Sequence, residues 1–259
     1  MGGTREESGN DGVEDPQAPF ATPLSPAGAL AYSSPARSQA RGVLPGAPLP
    51  TTAIGGPLLE REEWNQRYAA KELVWTSTAN RFLEAETAAL SPGRALDLAA
   101  GEGRNAVWLA EQGWCVRAVD FSDVAMAKGK EMAGARGVAE RVDFEVADLR
   151  DYVPEPNSFD LVALLYLQIP QDELTPIIAR AARAVAAGGT FLLVAHDSAN
   201  LAHGYGGPQH PESLYTAEQV VAALGGELEV VKAGTIDRPV ETDDGIRVAI
   251  DCLVRATRP

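Results

Sequence analysis

Apolar and polar positions between residues 58 and 259 form short apolar runs that alternate with stretches of helical period. The apolar runs predict strands, and the stretches between them, with apolar residues three or four apart, predict amphipathic helices. The predicted strands are 94–100, 115–120, 142–146, 159–165, 190–195, 227–233 and 246–256. The predicted helices are 59–71, 78–90, 104–112, 122–136 and 171–187, followed by a last long helix that begins at Thr216.

Three local signals mark the ends of these elements. Gly188-Gly189 follows the helix at 171–187 and is expected to close it, because glycine accepts the left-handed conformation of a helix C-cap. Thr216-Ala-Glu-Gln219 has the form of a capping box, which starts a helix. The stretch 241–245 is rich in turn residues, so the strand after it is expected to return antiparallel to its neighbour.

Strands that alternate with helices of this length predict a parallel sheet covered on both faces. We therefore predict an α/β fold of the Rossmann-like, doubly wound type. It would have a mostly parallel seven-stranded sheet, an antiparallel C-terminal strand and helices on both faces. In such a sheet, ligands bind at the carboxyl ends of the strands.

Residues 1–57 show neither period and hold half of the 18 prolines. Such a stretch cannot bury enough apolar surface to offset the entropy of ordering it. We predict a disordered Pro/Gly-rich tail over residues 1–57 and one domain over residues 58–259. A mis-assigned start of translation and a regulatory or partner-binding tail are alternatives.

Composition narrows the classes of partner. The formal net charge is −14, the pI is about 4.7 and there is no run of Lys and Arg, which argues against nucleic acid and anionic membranes. No apolar run reaches the ~20 residues of a membrane span, and the N-terminus does not resemble a secretory signal. Cys115 and Cys252 lack metal-ligand spacing, and each is expected to be a small core residue. We predict a cytoplasmic protein with no metal site.

The most informative segment is Asp97-Leu-Ala-Ala-Gly-Glu-Gly-Arg-Asn105, which ends a predicted strand and opens a helix. Glycine lets the backbone approach a ligand closely, and a helix start offers unpaired amides. Asp120 ends the next predicted strand, where its carboxylate can accept hydrogen bonds from ribose hydroxyls. These residues also satisfy the fingerprint of dinucleotide-binding proteins, so a nicotinamide cofactor is an alternative.

Three features favour a nucleoside that carries a methionine group. Asp97 lies on the strand itself, where a carboxylate would repel a pyrophosphate and attract an ammonium group. Asp148 follows the third strand, where it can accept a hydrogen bond from an adenine amino group. The chain has no Tyr-x-x-x-Lys pair late in the sequence for hydride transfer. Each aspartate also has an ordinary structural interpretation, as a buried capping acid, a helix cap or a turn residue.

In their order and spacing, these segments resemble the class I S-adenosylmethionine-dependent methyltransferases over roughly residues 60–259. The resemblance rests on Asp97–Gly103, Val119–Ser122, Ala147–Leu149, Phe159–Val162 and Gly188–Thr190. It implies that S-adenosylmethionine is the cofactor. The cofactor-binding residues that it implies are Tyr68, Asp97, Ala99, Gly101, Gly103, Asp120, Phe121, Asp148, Leu149 and Leu164.

Within this set the resemblance implies separate roles. Asp120 holds the ribose, Phe121 packs on the adenine, and Asp148 with Leu149 reads the edge of the adenine. Asp97 and the turn at Gly101 hold the methionine end. The chain departs from the family at Ala99, where the family usually has its first glycine, and a methyl group there is expected to crowd the cofactor.

The acceptor side is expected to come from two regions. The aromatic set from Trp64 to Trp75 resembles the entry segment of tellurite-resistance-like and thiopurine-type methyltransferases, where aromatics cover the cofactor and line the acceptor pocket. Trp75 is assigned to the acceptor, whereas helix packing explains Trp64 equally well. Tyr166 and Gln168 follow the fourth strand and are candidate acceptor contacts, with exposed loop residues as the alternative.

His196 and Asp197 follow the fifth strand. An imidazole at this position can act as a base, so His196 and Tyr166 are the catalytic candidates and Asp197 is a substrate contact and second candidate base. A His196 held by its own loop is the alternative. The long loop 201–214 is expected to act as a lid, with His203 and His210 facing solvent.

Together these residues predict transfer of a methyl group from S-adenosylmethionine to a small molecule by in-line displacement, with proximity supplying much of the rate. A thiolate acceptor needs no base, whereas a hydroxyl or an amine does. Signatures for base amines and for cytosine carbon are missing from the sequence. A non-catalytic sensor that binds S-adenosylmethionine and a nicotinamide-dependent reductase are the alternatives.

Overall fold

The structure is a computed structural model that describes residues 60–259. The predicted tail at residues 1–57 lies outside the described residues, and the division of the chain into tail and domain stays a prediction.

Seven strands form one sheet in the order β3-β2-β1-β4-β5-β7-β6. The strand β7 pairs antiparallel with both β5 and β6, and every other pair is parallel. The predicted α/β fold with an antiparallel C-terminal strand is confirmed. The strands are β1 Arg94–Leu98, β2 Cys115–Asp120, β3 Val142–Val146, β4 Phe159–Leu165, β5 Val185–His196, β6 Glu229–Thr242 and β7 Gly245–Thr257.

Helices cover both faces of the sheet, because its central strands are apolar on both sides and must be shielded from water. The helices are α1 Arg61–Ala69, α2 Arg81–Thr87, α3 Arg104–Glu111, α4 Asp123–Ala135, α5 Gln171–Ala184, α6 Asn200–His203 and α7 Ala217–Ala223. One core lies under α5 and α7, and the other under α2, α3 and α4. Within residues 60–259, no helix has the length and apolar character that a membrane span requires.

The predicted end of the fifth helix is wrong. The helix α5 ends at Ala184, and Val185 is already extended and pairs with Phe159. Gly188 does have a left-handed φ of +72°, but its amide donates to the carbonyl of Arg258 within the sheet. A β-carbon on Gly189 would lie 2.9 Å from the carbonyl oxygen of Phe159. The two glycines therefore allow a bend inside β5 and do not cap the helix.

The predictions for the last strands and helix were also incomplete. The strand β6 continues to Thr242, well past the predicted end at residue 233, and forms a long hairpin with β7. Polar residues that alternate along this edge strand concealed the extension. The capping box at Thr216 is confirmed, but α7 is only seven residues long and is followed by Gly225 and Gly226, both with positive φ.

The two cysteines differ in environment. Cys252 is buried in β7, as predicted, whereas Cys115 is exposed. The prediction for Cys115 was wrong because this residue is the first of β2, before the strand enters the core.

Candidate functional site

A cavity of about 750 Å³ lies at the carboxyl ends of β1, β2, β4 and β5 and extends to β6. This is the edge of the sheet at which the sequence predicted a ligand. The cavity joins a region around the turn after β1 to a region around the ends of β4, β5 and β6. The predicted site residues that line it are Tyr68, Trp75, Ala99, Gly101, Asp120, Phe121, Asp148, Leu149, Tyr166, Gln168 and His196.

The turn after β1 is held by the carboxylate of Asp120 at the end of β2. Its Oδ2 accepts a hydrogen bond of 2.9 Å from the amide of Gly101, and its Oδ1 accepts one of 2.9 Å from the amide of Ser122. Burial raises the pKa of Asp120, although these backbone amides lower it in part. Ala99 lies in this turn with φ of +56°, a left-handed conformation that favours glycine.

Asp97 lies at the other side of this turn and is almost completely buried, with 1% of its surface exposed. Its Oδ2 has no hydrogen-bond partner among the described residues. Burial first, and then the charge of Asp120, raise the pKa of Asp97 to about 7. Asp97 itself does not line the cavity, whereas Ala99, Ala100 and Gly101 do. A buried carboxylate oxygen without a partner is suited to an ammonium group, whose charge would compensate its desolvation.

Asp148 lies at the mouth of the cavity with its carboxylate bound to Arg150. The guanidinium donates to both oxygens, with a shortest distance of 2.7 Å. These hydrogen bonds hold the pKa of Asp148 below its usual value. Arg150 also reaches Glu60 at 3.2 Å. A ligand amino group at Asp148 would therefore share the carboxylate with Arg150, a partner that the sequence analysis missed.

Tyr68 near the end of α1 and Trp75 in the segment between α1 and α2 both line the cavity. Glu102, the residue between the two glycines of the turn, holds this segment in place. Its buried carboxylate accepts hydrogen bonds from the amides of Val74 at 2.9 Å and Trp75 at 3.1 Å. Lys128 of α4 also donates to it at 3.2 Å. No role was predicted for Glu102 from the sequence, because its partners lie 26 to 28 residues away.

The opposite end of the cavity is organised by Asp251 of β7, which is completely buried. Its Oδ2 accepts hydrogen bonds from the hydroxyl of Tyr166 at 2.6 Å and from Nε of Arg238 at 2.7 Å. Its Oδ1 lies 3.2 Å from Nδ1 of His196. The rings of Tyr166 and His196 are 4.9 Å apart. Tyr166 and His196 were predicted from the sequence, whereas Asp251 and Arg238 were not.

Three further predicted site residues do not line the cavity. Gly103 begins α3 with φ of +75°, and a β-carbon there would lie 2.7 Å from the ring of Phe144, so packing explains this glycine. Leu164 is 1% exposed and belongs to the core under α5. Asp197 is buried and accepts a hydrogen bond of 2.8 Å from the amide of Ala199, so it caps its own loop.

The loop 201–214 contributes no residue to the cavity lining, contrary to the expected lid. Gly207 instead lies behind the imidazole, where a β-carbon would be 3.1 Å from Nδ1 of His196. His203 is exposed as predicted, whereas the side chain of His210 is 19% exposed and lies 3.6 Å from Glu212. No group of three or more potential metal ligands occurs among residues 60–259.

Comparison with known proteins identifies a methyltransferase domain within the chain. The model of a family described as "Methyltransferase domain" matches residues 95–189, which run from β1 into β5. The 2-heptyl-1-hydroxyquinolin-4(1H)-one methyltransferase of Mycobacteroides abscessus is 27% identical over 132 residues, which cover 50% of this chain and 57% of that protein. The chain thus spans little more than half the length of this relative.

Solved structures show the same fold. TehB from Haemophilus influenzae superimposes with a TM-score of 0.57 at 17% identity, over 77% of this chain and 67% of that one. Geranyl diphosphate C-methyltransferase from Streptomyces coelicolor, solved with Mg²⁺, geranyl diphosphate and S-adenosyl-L-homocysteine, gives a TM-score of 0.53 at 15% identity. That alignment covers 82% of this chain and 88% of that one. Residues 95–189 thus match a methyltransferase domain, and the chain has the fold of solved S-adenosylmethionine-dependent methyltransferases.

Proposed function

We propose that this protein transfers a methyl group from S-adenosylmethionine to a small-molecule acceptor, and that the acceptor binds between Tyr166, Gln168 and His196. The observation that carries this proposal is the continuity of the cavity. One space joins the turn at Gly101 and the carboxylate of Asp120 to the end at which Tyr166 and His196 lie. Donor and acceptor can therefore be held in contact, away from bulk water.

The residues at the turn suit the cofactor. When bound, S-adenosylmethionine supplies a methyl group on a positively charged sulfur, which is already a good leaving group. In this proposal the unpartnered Oδ2 of Asp97 attracts the ammonium of the methionine group, directly or through water. Asp120 accepts hydrogen bonds from the ribose, since each carboxylate oxygen has a second lone pair beside the one used by a backbone amide.

The adenine would lie between Phe121 and Leu149, both of which line the cavity. Asp148 would accept from the adenine amino group while Arg150 keeps its carboxylate ionised. Tyr68 and Trp75 would close the site over the cofactor, with Trp75 nearer to the acceptor. These residues bind and orient, and their contribution to rate comes from alignment of the reacting groups.

Three observations support a small-molecule acceptor. A cavity of about 750 Å³ lies in the range of small-ligand sites, ~300–1,000 Å³. The net charge of −14 opposes binding to phosphate backbones. The relative from Mycobacteroides abscessus is named for a hydroxyquinolone, which is a small molecule. The cytoplasmic location predicted from the sequence is part of this proposal.

Calorimetry with S-adenosylmethionine, S-adenosylhomocysteine and NAD, followed by an acceptor screen with methyl-labelled cofactor, tests the proposal. We expect binding of the first two ligands, no binding of NAD and transfer of label to a small molecule. Binding of NAD in their place would favour the reductase. Tight binding of S-adenosylmethionine without transfer to any acceptor would favour the sensor.

A further inference from the structure

Asp251, Arg238 and Arg104 surround Tyr166 and His196 and have no role in the proposed function. The inference that follows rests on that function. Asp251 lies on β7, which runs between β5 and β6. In the sheet it is the direct partner of His196 on β5 and of Ile236 on β6. Arg238 is two residues beyond Ile236 and therefore points to the same face of the sheet. Three neighbouring strands thus bring one acid, one imidazole and one guanidinium together.

The hydrogen bonds of Asp251 determine the orientation of His196. A carboxylate only accepts hydrogen bonds, so a neutral His196 must carry its proton on Nδ1, which faces Oδ1 at 3.2 Å. The lone pair is then on Nε2. The ring lines the cavity, and no hydrogen bond described for residues 60–259 uses Nε2. Gly207 packs behind the Nδ1 edge, which leaves the ring little freedom to turn.

The charge of this cluster is well defined. Burial alone would raise the pKa of Asp251, but hydrogen bonds from His196 and Arg238 outweigh it and lower the pKa below its ordinary value. Asp251 is therefore ionised at neutral pH. The carboxylate of Asp251 forms an ion pair with Arg238 at 2.7 Å. The guanidinium of Arg238 also lies 5.7 Å from the ring of Tyr166.

A second guanidinium faces the same space. Arg104 of α3 lines the cavity and is close enough to Arg238 and Tyr166 to interact with both electrostatically. Its donor NH1 is held by the hydroxyl of Thr76 at 2.9 Å. Arg104 and the Arg238–Asp251 pair line the same cavity as His196, so the guanidiniums favour a negative charge on a molecule bound there over a positive one.

We propose that Asp251 is the positioning residue of the acceptor site, and that the acceptor is a small molecule with an acidic hydroxyl on an aromatic or enolic ring. Asp251 holds Nε2 of His196 toward that hydroxyl and keeps Arg238 beside it. The hydroxyl gives its proton to Nε2, and its oxygen becomes an anion in the cavity that the two guanidiniums line. A C–O bond then forms as the C–S bond breaks, and the electron pair of that bond leaves with the sulfur.

The cluster distinguishes among possible nucleophiles. A thiol of low pKa is already ionised near neutral pH and gains little from a base. An amine that is protonated when free would meet the positive charges of Arg104 and Arg238 in the same cavity. An acidic hydroxyl needs both a base to remove its proton and cations to stabilise the resulting anion, and this site offers both.

The test compares Asp251→Asn with a matched control, Asp237→Asn, in the full-length protein. Asp237 is an exposed residue of the same hairpin and does not line the cavity. In Asp251→Asn, Tyr166 and Arg238 both donate, so the amide oxygen must take the place of Oδ2. The amide NH₂ then faces His196 and donates to its Nδ1. We expect His196 to change to the tautomer protonated on Nε2. Nitrogen-15 NMR of the ring measures this without cofactor or acceptor, and His196→Gln identifies the signal.

The second measurement is kcat/KM with phenol, thiophenol and benzylamine, which near neutral pH are un-ionised, largely ionised and protonated, respectively. We expect the phenol to be the acceptor and Asp251→Asn to lower its rate by about 10²-fold or more, the scale of general base catalysis. Asp237→Asn should leave it unchanged. Cofactor affinity should stay within about twofold in both variants, since Asp251 lies at the acceptor end.

The outcomes separate this inference from the proposed function. Failure to bind S-adenosylmethionine, or to methylate any acceptor, would contradict the proposed function, and the NMR tautomer would still decide the role of Asp251. Preferred methylation of the thiol or the amine would overturn the inference and leave the proposed function intact. An unchanged tautomer in a folded Asp251→Asn, with a phenol rate like that of Asp237→Asn, would also overturn it.

Discussion

The amide of Gly101 donates a hydrogen bond of 2.9 Å to Oδ2 of Asp120, and this contact joins the turn after β1 to the end of β2. A second bond, from the amide of Ser122 to Oδ1, ties the same carboxylate to the start of α4. Asp120 thus shapes the turn and also presents its remaining lone pairs to the cavity. Substitutions at this residue affect both tasks.

Asp120→Ala should weaken S-adenosylmethionine binding about tenfold or more, because a hydrogen bond to a charged group contributes ~1.5–3 kcal/mol. Isothermal titration calorimetry measures the change. Asp143→Asn is the control, since Asp143 is an exposed residue of β3 that pairs with Arg117 away from the cavity. Equal affinities in the two variants would remove Asp120 from the cofactor site.

Asp97→Asn should stabilise the protein without cofactor at pH 8 and weaken its binding of S-adenosylmethionine. The pKa of Asp97 is about 7 in the folded protein and has an ordinary value of 3.8. Between these values the folded protein holds a proton that the unfolded chain has lost, so the free energy of unfolding falls as pH rises through this window. Asparagine does not titrate, so the free energy of unfolding of the variant lacks this fall with pH.

Melting temperatures of Asp97→Asn and the native protein, measured at about pH 4.5 and pH 8, test this sign. At pH 8 the melting temperature of the variant should exceed that of the native protein by a few degrees, on a scale of ~2–4 °C per kcal/mol. At the lower pH the difference should be much smaller. With saturating S-adenosylmethionine the order should reverse, because the ammonium of the cofactor compensates the charge of the native Asp97. A variant that is less stable at pH 8 without cofactor would contradict the assignment.

Glu102→Gln should loosen the segment after α1 that carries Val74 and Trp75. Its carboxylate receives two backbone amides and Lys128, and the neutral amide of Gln cannot accept all three equally well. We expect faster hydrogen exchange in residues 70–76 and about tenfold weaker cofactor binding, with most of the melting temperature retained. Glu111→Gln, which removes a charge from the exposed end of α3, serves as control. Unchanged exchange would mean that other contacts hold the segment.

Gly103→Ala and Gly101→Ala should separate stability from binding. Both positions have left-handed φ angles, +75° and +56°. A β-carbon at 103 would meet the buried ring of Phe144 at 2.7 Å, whereas at 101 its nearest neighbour is the hydroxyl of Tyr68 at 3.2 Å, on the cavity side. Overpacking typically costs ~1–3 kcal/mol, so Gly103→Ala should lower the melting temperature and keep cofactor affinity. Gly101→Ala should mainly lower the affinity.

Thermal unfolding and calorimetry on the same two samples check this pair. The opposite pattern, with cofactor affinity lost in Gly103→Ala and stability lost in Gly101→Ala, would restore Gly103 to the cofactor site predicted from the sequence.

Most of the residues proposed for the cofactor end could be placed at one edge of the sheet from the sequence, because their positions depend on local structure. Asp120 ends β2 and Asp148 follows β3, and the strands β2, β3 and β4 have the predicted bounds. Parallel strands bring their carboxyl ends to one edge, so residues at those ends meet whatever the details of packing. Sequence could not assign Gly103, because a glycine required by a nearby ring looks the same as a glycine required by a ligand.

The sequence by itself determined the fold, the edge of the sheet that holds the cavity and the two residues Tyr166 and His196 at its acceptor end. Only the tertiary structure decided what surrounds them. Asp251 is 55 residues from His196 and 13 from Arg238, and the three meet because β7 pairs with β5 and β6 in one register. Strand register depends on contacts between distant segments, and β6 is an edge strand whose polar residues give no strong strand signal. The residues proposed to select the acceptor are therefore brought together only by the folded sheet.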